Sequence, residues 1–195
     1  MTQFSLFGAE ATSPAPADLD GLLLAGGHWV RGAAGARLSI VVADRWRADA
    51  LAAAFAERGV DGPDPVVPAE SGFGVRTAFT PALDAAAARW RRGANEGLPP
   101  GFQLTAGGLR LWAVAVGRRD DVGYLLGTAD PDDPIHQAAG AQLARLGVTA
   151  VSLAQRGGPG WRITSSRRLR RVVELLGPAP AGGETDWPEQ APSRH

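Results

Sequence analysis

Three histidines, His28, His136 and His195, are the only imidazoles in the 195-residue chain. None has a second histidine or a carboxylate at a spacing, such as i+4 on a helix, that would hold a metal ion. Cysteine is absent, which excludes a thiolate zinc site, a redox couple and a disulfide framework. Gly157-Gly158-Pro159-Gly160 joins two expected strands and leads into no phosphate-binding helix, so a hairpin turn is its default. Asp18 and Asp20 fall at the start of an expected helix, where they offset exposed N–H groups, and Asp120-Asp121 reads as a turn. No catalytic, metal-binding or cofactor-binding constellation results, and the expectation is a chain that is not an enzyme and needs no cofactor.

Arginine is what remains. Every positive side chain is arginine, twenty against twenty acids. Between the acidic ends of the chain, nineteen arginines stand against fifteen acids, an excess compatible with a nucleic-acid surface but too small to establish one. Arg31, Arg37, Arg76, Arg118, Arg119, Arg156 and Arg162 lie on or beside expected strands, where they either meet a duplex or are ordinary solvated surface. Arg167, Arg168, Arg170 and Arg171 open a helix, although cations near a helix N-terminus cost a few tenths to about 1 kcal/mol. Leu169, Val172, Val173 and Leu176 supply that helix with a buried face. The arginines stay outside, poised for an anion such as a DNA phosphate or simply solvated.

The elements that must position these residues repeat at an offset of roughly 86 to 90 residues. Gly74-Val75-Arg76-Thr77 answers to Gly160-Trp161-Arg162-Ile163. Ala48, Leu51, Ala52 and Phe55 form an apolar stripe on a helix that stops at Gly59-Val60. Ile135, Ala139, Leu143 and Leu146 form a similar stripe stopping at Gly147-Val148. Each half reads as helix, strand, strand, helix, strand, strand, helix. In the first half (18–93) these span 18–27, 28–34, 37–43, 46–59, 64–70, 74–80 and 82–93. In the second (104–177) they span 104–117, 118–121, 123–129, 135–147, 149–156, 160–164 and 166–176. Residues 94–103 are the connector. Residues 1–17 hold a terminal peptide and a linker poor in large apolar residues, and 178–195, with four prolines, reads as a disordered tail. No apolar run approaches the ~20 residues of a membrane span and no signal peptide is evident, so a cytoplasmic monomer without membrane contact is expected.

This α+β order, with its duplication, resembles the single-chain LAGLIDADG homing endonuclease fold. There the first helix of each half carries the name-giving motif, and the two helices pack along a pseudo-twofold axis. The corresponding stretches are Leu19-Asp20-Gly21-Leu22-Leu23-Leu24-Ala25-Gly26-Gly27 and Leu109-Arg110-Leu111-Trp112-Ala113-Val114-Ala115-Val116-Gly117. Gly21 and Ala25 would let a partner backbone come close, whereas Leu111 departs from the pattern. The resemblance places metal-binding acids near the end of each motif helix. Gly26 and Val116 stand at those positions, which supports the expectation of no catalysis.

Gln3-Phe4-Ser5-Leu6-Phe7 resembles the short motif by which bacterial polymerases and repair factors bind the DNA sliding clamp. In such a peptide Leu and Phe fill an apolar pocket and the Gln amide fixes register. The sequence is thus read as a non-catalytic replication or repair accessory, bound to the clamp through these five residues and touching double-stranded DNA with its arginines. The alternatives are a metal-dependent DNA endonuclease using relocated acids such as Asp20 and Asp120, and an interaction module unrelated to replication.

Overall fold

The computed structural model describes residues 13–93, 95–128, 134–153 and 158–189. A 3-10 turn over Pro16–Leu19 runs into α1 (Asp20–Leu24), followed by β1 (His28–Gly32), β2 (Gly35–Val42), α2 (Arg45–Glu57), β3 (Val66–Ala69) and β4 (Gly72–Arg76). A second 3-10 turn, Pro81–Leu83, and α3 (Asp84–Arg89) close the first half. A short hairpin, β5 (Arg91–Arg92) and β6 (Asn95–Glu96), leads to α4 (Ala106–Val116), β7 (Gly117–Arg119), β8 (Tyr124–Gly127), α5 (Pro134–Arg145), β9 (Val151–Leu153), β10 (Gly160–Ile163) and α6 (Ser166–Leu176). Two four-stranded antiparallel sheets have the same order, β1-β2-β4-β3 and β7-β8-β10-β9. The duplicated α+β architecture expected from the repeat is therefore present, with helices shorter than their apolar patterns.

The helix ends show why the repeat was readable. In α2, Val60 N–H donates to Phe55 O at 3.1 Å and Gly59 N–H to Ala56 O at 3.0 Å, with Gly59 at φ +64. In α5, Val148 N–H donates to Leu143 O at 2.9 Å and Gly147 N–H to Ala144 O at 3.0 Å, with Gly147 at φ +80. Both are Schellman caps, which need a left-handed residue after the last turn and then an apolar contact, here the buried Val60 and Val148. The same device ends α1 early: Gly27 N–H bonds Leu22 O at 2.8 Å and Gly26 sits at φ +92. Behind these caps Leu22, Leu51, Phe55, Leu109, Trp112, Tyr124 and Leu143 lose contact with water, each large side chain contributing about 1.5–3 kcal/mol.

The segment expected to be a disordered tail instead packs against the body as far as residue 189. Trp187 is 4% exposed, its indole donates to Gly177 O at 2.8 Å, and the Arg110 guanidinium lies 5.2 Å from its ring centre. Gly183 has no room for a side chain because the Trp46 ring fills that space, 2.6 Å from where a Cβ would sit. One large aromatic with a satisfied N–H, plus glycines that admit a neighbouring ring, is enough to anchor a proline-rich strand of chain. The connector is held too. Gln142 accepts from Leu104 N–H at 3.0 Å and donates to Phe102 O at 2.9 Å, while Phe102 meets Trp90 edge-on at 5.5 Å.

Candidate nucleic-acid interface

Side chains alternate across a sheet, so register decides which arginines share a face. In the first sheet Leu38, Ile40, Val42 and Val75 point into the core. Val30 pairs with Arg37, and Ser39 pairs with both His28 and Arg76, so His28, Arg37 and Arg76 occupy the open face. In the second sheet Tyr124, Leu126 and Ile163 point inward. Leu125 pairs with Arg118 and with Arg162, so these two arginines share the face turned away from the core with Leu125, which is itself covered at 1% exposure. Arg76 and Arg162, matched by the internal repeat, thus hold equivalent places on the two sheets.

Three of these side chains are positioned by neighbours. Arg37 stacks over the Phe79 ring at 4.4 Å, and Arg76 Nε donates to Asp64 O at 3.1 Å. Arg162 pairs with Asp120 at 2.7 Å. Burial alone would raise the Asp120 carboxyl, but the N–H groups of Val122 and Gly123 and the Arg162 guanidinium outweigh it and hold the carboxyl below its usual range. Asp120 therefore stays ionised and holds Arg162 as its partner.

The other arginines do not join this face. Arg31 pairs with the buried Ala36 and so has the opposite parity. Arg119 pairs with the buried Tyr124; it donates to Thr185 O at 2.9 Å and forms an ion pair with Glu189, which ties down the C-terminal segment. Arg167, Arg168, Arg170 and Arg171 lie on α6, which packs on α4 in the helix layer. Arg156 and the whole peptide Gln3-Phe4-Ser5-Leu6-Phe7 lie outside the described residues.

Between the sheets, α1 meets α4 at glycines: a Cβ on Gly21 would sit 1.9 Å from Gly108 O. Only glycine permits such an approach, and Gly107 likewise makes room for the Asp18 carboxylate. Asp18 is buried, bonded to Arg58 at 2.8 Å and to Thr105 Oγ1 at 2.7 Å. Asp20 accepts from Arg89 at 2.6 Å and from the Trp90 indole at 2.7 Å. Burial, with the nearby Asp18 charge, raises the Asp20 carboxyl above its ordinary value despite Trp90 and Arg89. Both acids therefore fasten α1 to its neighbours rather than merely offset a helix end. Asp20 and Asp120 have their partners in opposite halves, and among the described residues no three His, Asp or Glu side chains are grouped to hold a metal.

The sequence reading missed Arg47. Its side chain is buried among oxygens: Asp44 at 2.9 Å, Val114 O at 2.9 Å, Gly117 O at 2.9 Å and Asp186 at 3.0 Å. It caps the C-terminal end of α4, where the helix dipole favours a cation. An open cleft of about 630 Å³ lies beside it, lined by Val41, Asp44, Val116, Arg118 and Asp186 among others. Val116, at the position where the resemblance places an acid, thus faces a cleft whose two carboxylates are already held by a guanidinium. Its local signal was helical spacing alone, since Arg47 lies four and eight residues before Leu51 and Phe55 on the buried face of α2, while three of its partners lie 67 to 139 residues away.

The sequence matches no protein-family model and no curated protein sequence. Solved structures do match the fold. The homing endonuclease I-WcaI bound to its DNA recognition sequence superposes with a TM-score of 0.61 at 12% identity, over 86% of this chain and 83% of that one. The N-terminal LAGLIDADG domain of DUF199/WhiA gives 0.55 at 12% identity, over 83% and 80%. The fold is LAGLIDADG-like. A mesophilic variant of the homing endonuclease I-DmoI gives 0.50 at 15% identity, over 83% and 94%. These neighbours correct one expectation: two of the three are homing endonucleases, so a LAGLIDADG-like chain gives no ground for the reading that it is not an enzyme. Among the described residues no helix is long and apolar enough to cross a membrane.

Proposed function

We propose that this LAGLIDADG-like protein lies on duplex DNA with the open faces of its two sheets and is held near a sliding clamp by Gln3-Phe4-Ser5-Leu6-Phe7. The observation that carries the DNA reading is the register that sets Arg76 and Arg162 at equivalent points of two like sheets, with Arg37 and Arg118 beside them. A fold neighbour bound to its DNA recognition sequence supports it. Contacts of this type go to phosphates; they position the protein without reading sequence and weaken with salt. The clamp reading rests on the five-residue pattern, and tethering would strengthen a weak DNA contact through effective concentration.

Fluorescence anisotropy with a labelled duplex tests the first part. Replacing Arg76 and Arg162 by Gln should lower the slope of log K against log salt by about 0.9 for each lost phosphate contact; an unchanged slope and affinity would remove the sheet faces from the reading. A titration against purified clamp tests the second. Leu6→Ala/Phe7→Ala should abolish binding, and equal binding by both forms would end the docking assignment.

A further inference from the structure

Helix α6 carries a charged surface that the sheet interface does not use. It buries Val172 and Leu176 and packs on α4, which lies against the inner face of the second sheet, where the Trp112 indole donates to Gly127 O at 2.7 Å. The outer side of α6 therefore belongs to the helix layer, across the sheet from the open face that holds Arg118 and Arg162. Arg167, Arg170 and Arg171 fall at i, i+3 and i+4 on that side, all exposed, so their side chains are neighbours on one turn. Arg171 reaches Leu146 O at 3.3 Å and Glu174 at 3.3 Å, and the exposed Arg145 precedes Leu146 in the chain. Arg167, Arg168 and Arg170 have no ion pair among the described residues.

The placement opposes the helix's own electrostatics. The first turn of α6 contains no acid, and it holds Arg167 and Arg168 at the positive end of the dipole, where cations are unfavourable. The corresponding helix of the first half does the reverse, with Asp84 in its first turn and Arg89 in its last. A row of guanidinium groups in which only Arg171 has an ion pair among the described residues suits an external anion with repeated charges, and Arg donors match phosphate oxygens in geometry.

We propose that the outer face of α6 is a second nucleic-acid surface, taking the phosphates of a duplex segment other than the one on the sheets, so that one molecule bridges two segments. The bridging part rests on the sheet-face reading above, while binding at α6 stands without it. The test uses the full chain, one duplex immobilised on beads and a second, fluorescent duplex in solution, with light scattering to confirm one copy of the chain per particle. Arg167→Gln/Arg170→Gln/Arg171→Gln is expected to cut recovery of the fluorescent duplex at least tenfold and change affinity for the immobilised duplex less than twofold. Its melting temperature should stay close to the parent's, because relief of Arg167 at the positive helix end offsets the loss of Arg171's exposed contacts with Glu174 and Leu146 O; a mainly structural role would lower it markedly.

Arg37→Gln/Arg76→Gln/Arg162→Gln separates the two readings. If both surfaces bind, this variant should lose bridging but still be captured through α6, more weakly than the parent. If its capture equals the parent's and only the α6 variant loses capture, the sheet reading falls and α6 remains a duplex-binding surface. Bridging that survives the α6 substitutions overturns the proposal, as does a polyglutamate peptide that displaces the fluorescent duplex at lower charge concentration than free duplex does.

Discussion

The two halves fill the same space from opposite walls. When the Schellman glycines Gly59 and Gly147 are superposed, Leu51 meets Ala139, Ala52 meets Gly140, Phe55 meets Leu143 and Ala48 meets His136. In the first half the helix supplies the bulk, with Leu51 and Phe55 both fully buried, and the sheet answers with Val75. In the second half the sheet supplies it. Trp161 stands where Val75 does, stacks on His136 at 5.0 Å and donates its indole proton to His136 O at 2.9 Å. Gly140 is what admits it, since a Cβ there would lie 2.2 Å from the Trp161 ring. Helix stops and strand order survive between the halves, whereas individual core residues trade volume across the layer, as close packing requires.

The largest test of this contrast is at Phe55. Truncation to Ala should cost about 3–5 kcal/mol by denaturant unfolding, while Leu143→Ala should fall nearer 2 kcal/mol because less of the second core hangs from its helix. Equal losses at the two sites would break the comparison. Next comes Gly140→Ala, expected to cost about 1–3 kcal/mol by overpacking against the indole. Adding Trp161→Val, the residue type of the first half, should recover part of that loss. Additive effects in the double-mutant cycle would show that the two positions do not share one space.

The smallest effect concerns pH. His136 is 3% exposed, with Nδ1 2.8 Å from Thr128 Oγ1 and Nε2 2.8 Å from Ser152 Oγ, and burial lowers its pKa below the ordinary 6.5. The unfolded chain therefore takes up a proton near pH 6.5 before the folded one does. Stability should be intact above that point and decline as pH falls from about 6.5 toward the lowered value. In His136→Ala, the residue type of Ala48, stability measured from pH 7.5 to 5.5 should lose this slope, whatever its absolute level. An unchanged slope would assign the acid sensitivity elsewhere.

Much of the fold was legible because its signals are local. Apolar stripes ended by Gly-Val, and Gly-x-Arg recurring on the sheets, lie within a dozen residues and gave the element order directly. The arginine register was partly legible: alternation fixes Arg37 and Arg76 on one face once strand pairing is known, but nothing near Arg31 says that it lies one step out of phase. The buried acids and Arg47 were not legible, since Asp18 meets Arg58 across 40 residues and Thr105 across 87. The C-terminal segment was misread because its composition is that of a loose tail, and the anchoring power of Trp187 depends on a carbonyl and an arginine supplied by the body.

Arg47 carries one more consequence, for how the polypeptide comes into being. Its guanidinium is sealed inside, yet one of its counter-ions, Asp186, is synthesised 139 residues later. A nascent first half folding by itself would offer this charge only the half-exposed Asp44, without the α4 carbonyls and distal carboxylate that complete its shell, and an incompletely satisfied interior charge is unfavourable. That half must keep Arg47 in water until translation delivers the rest, so the order in which ribosomes release the chain delays the final closure of α2.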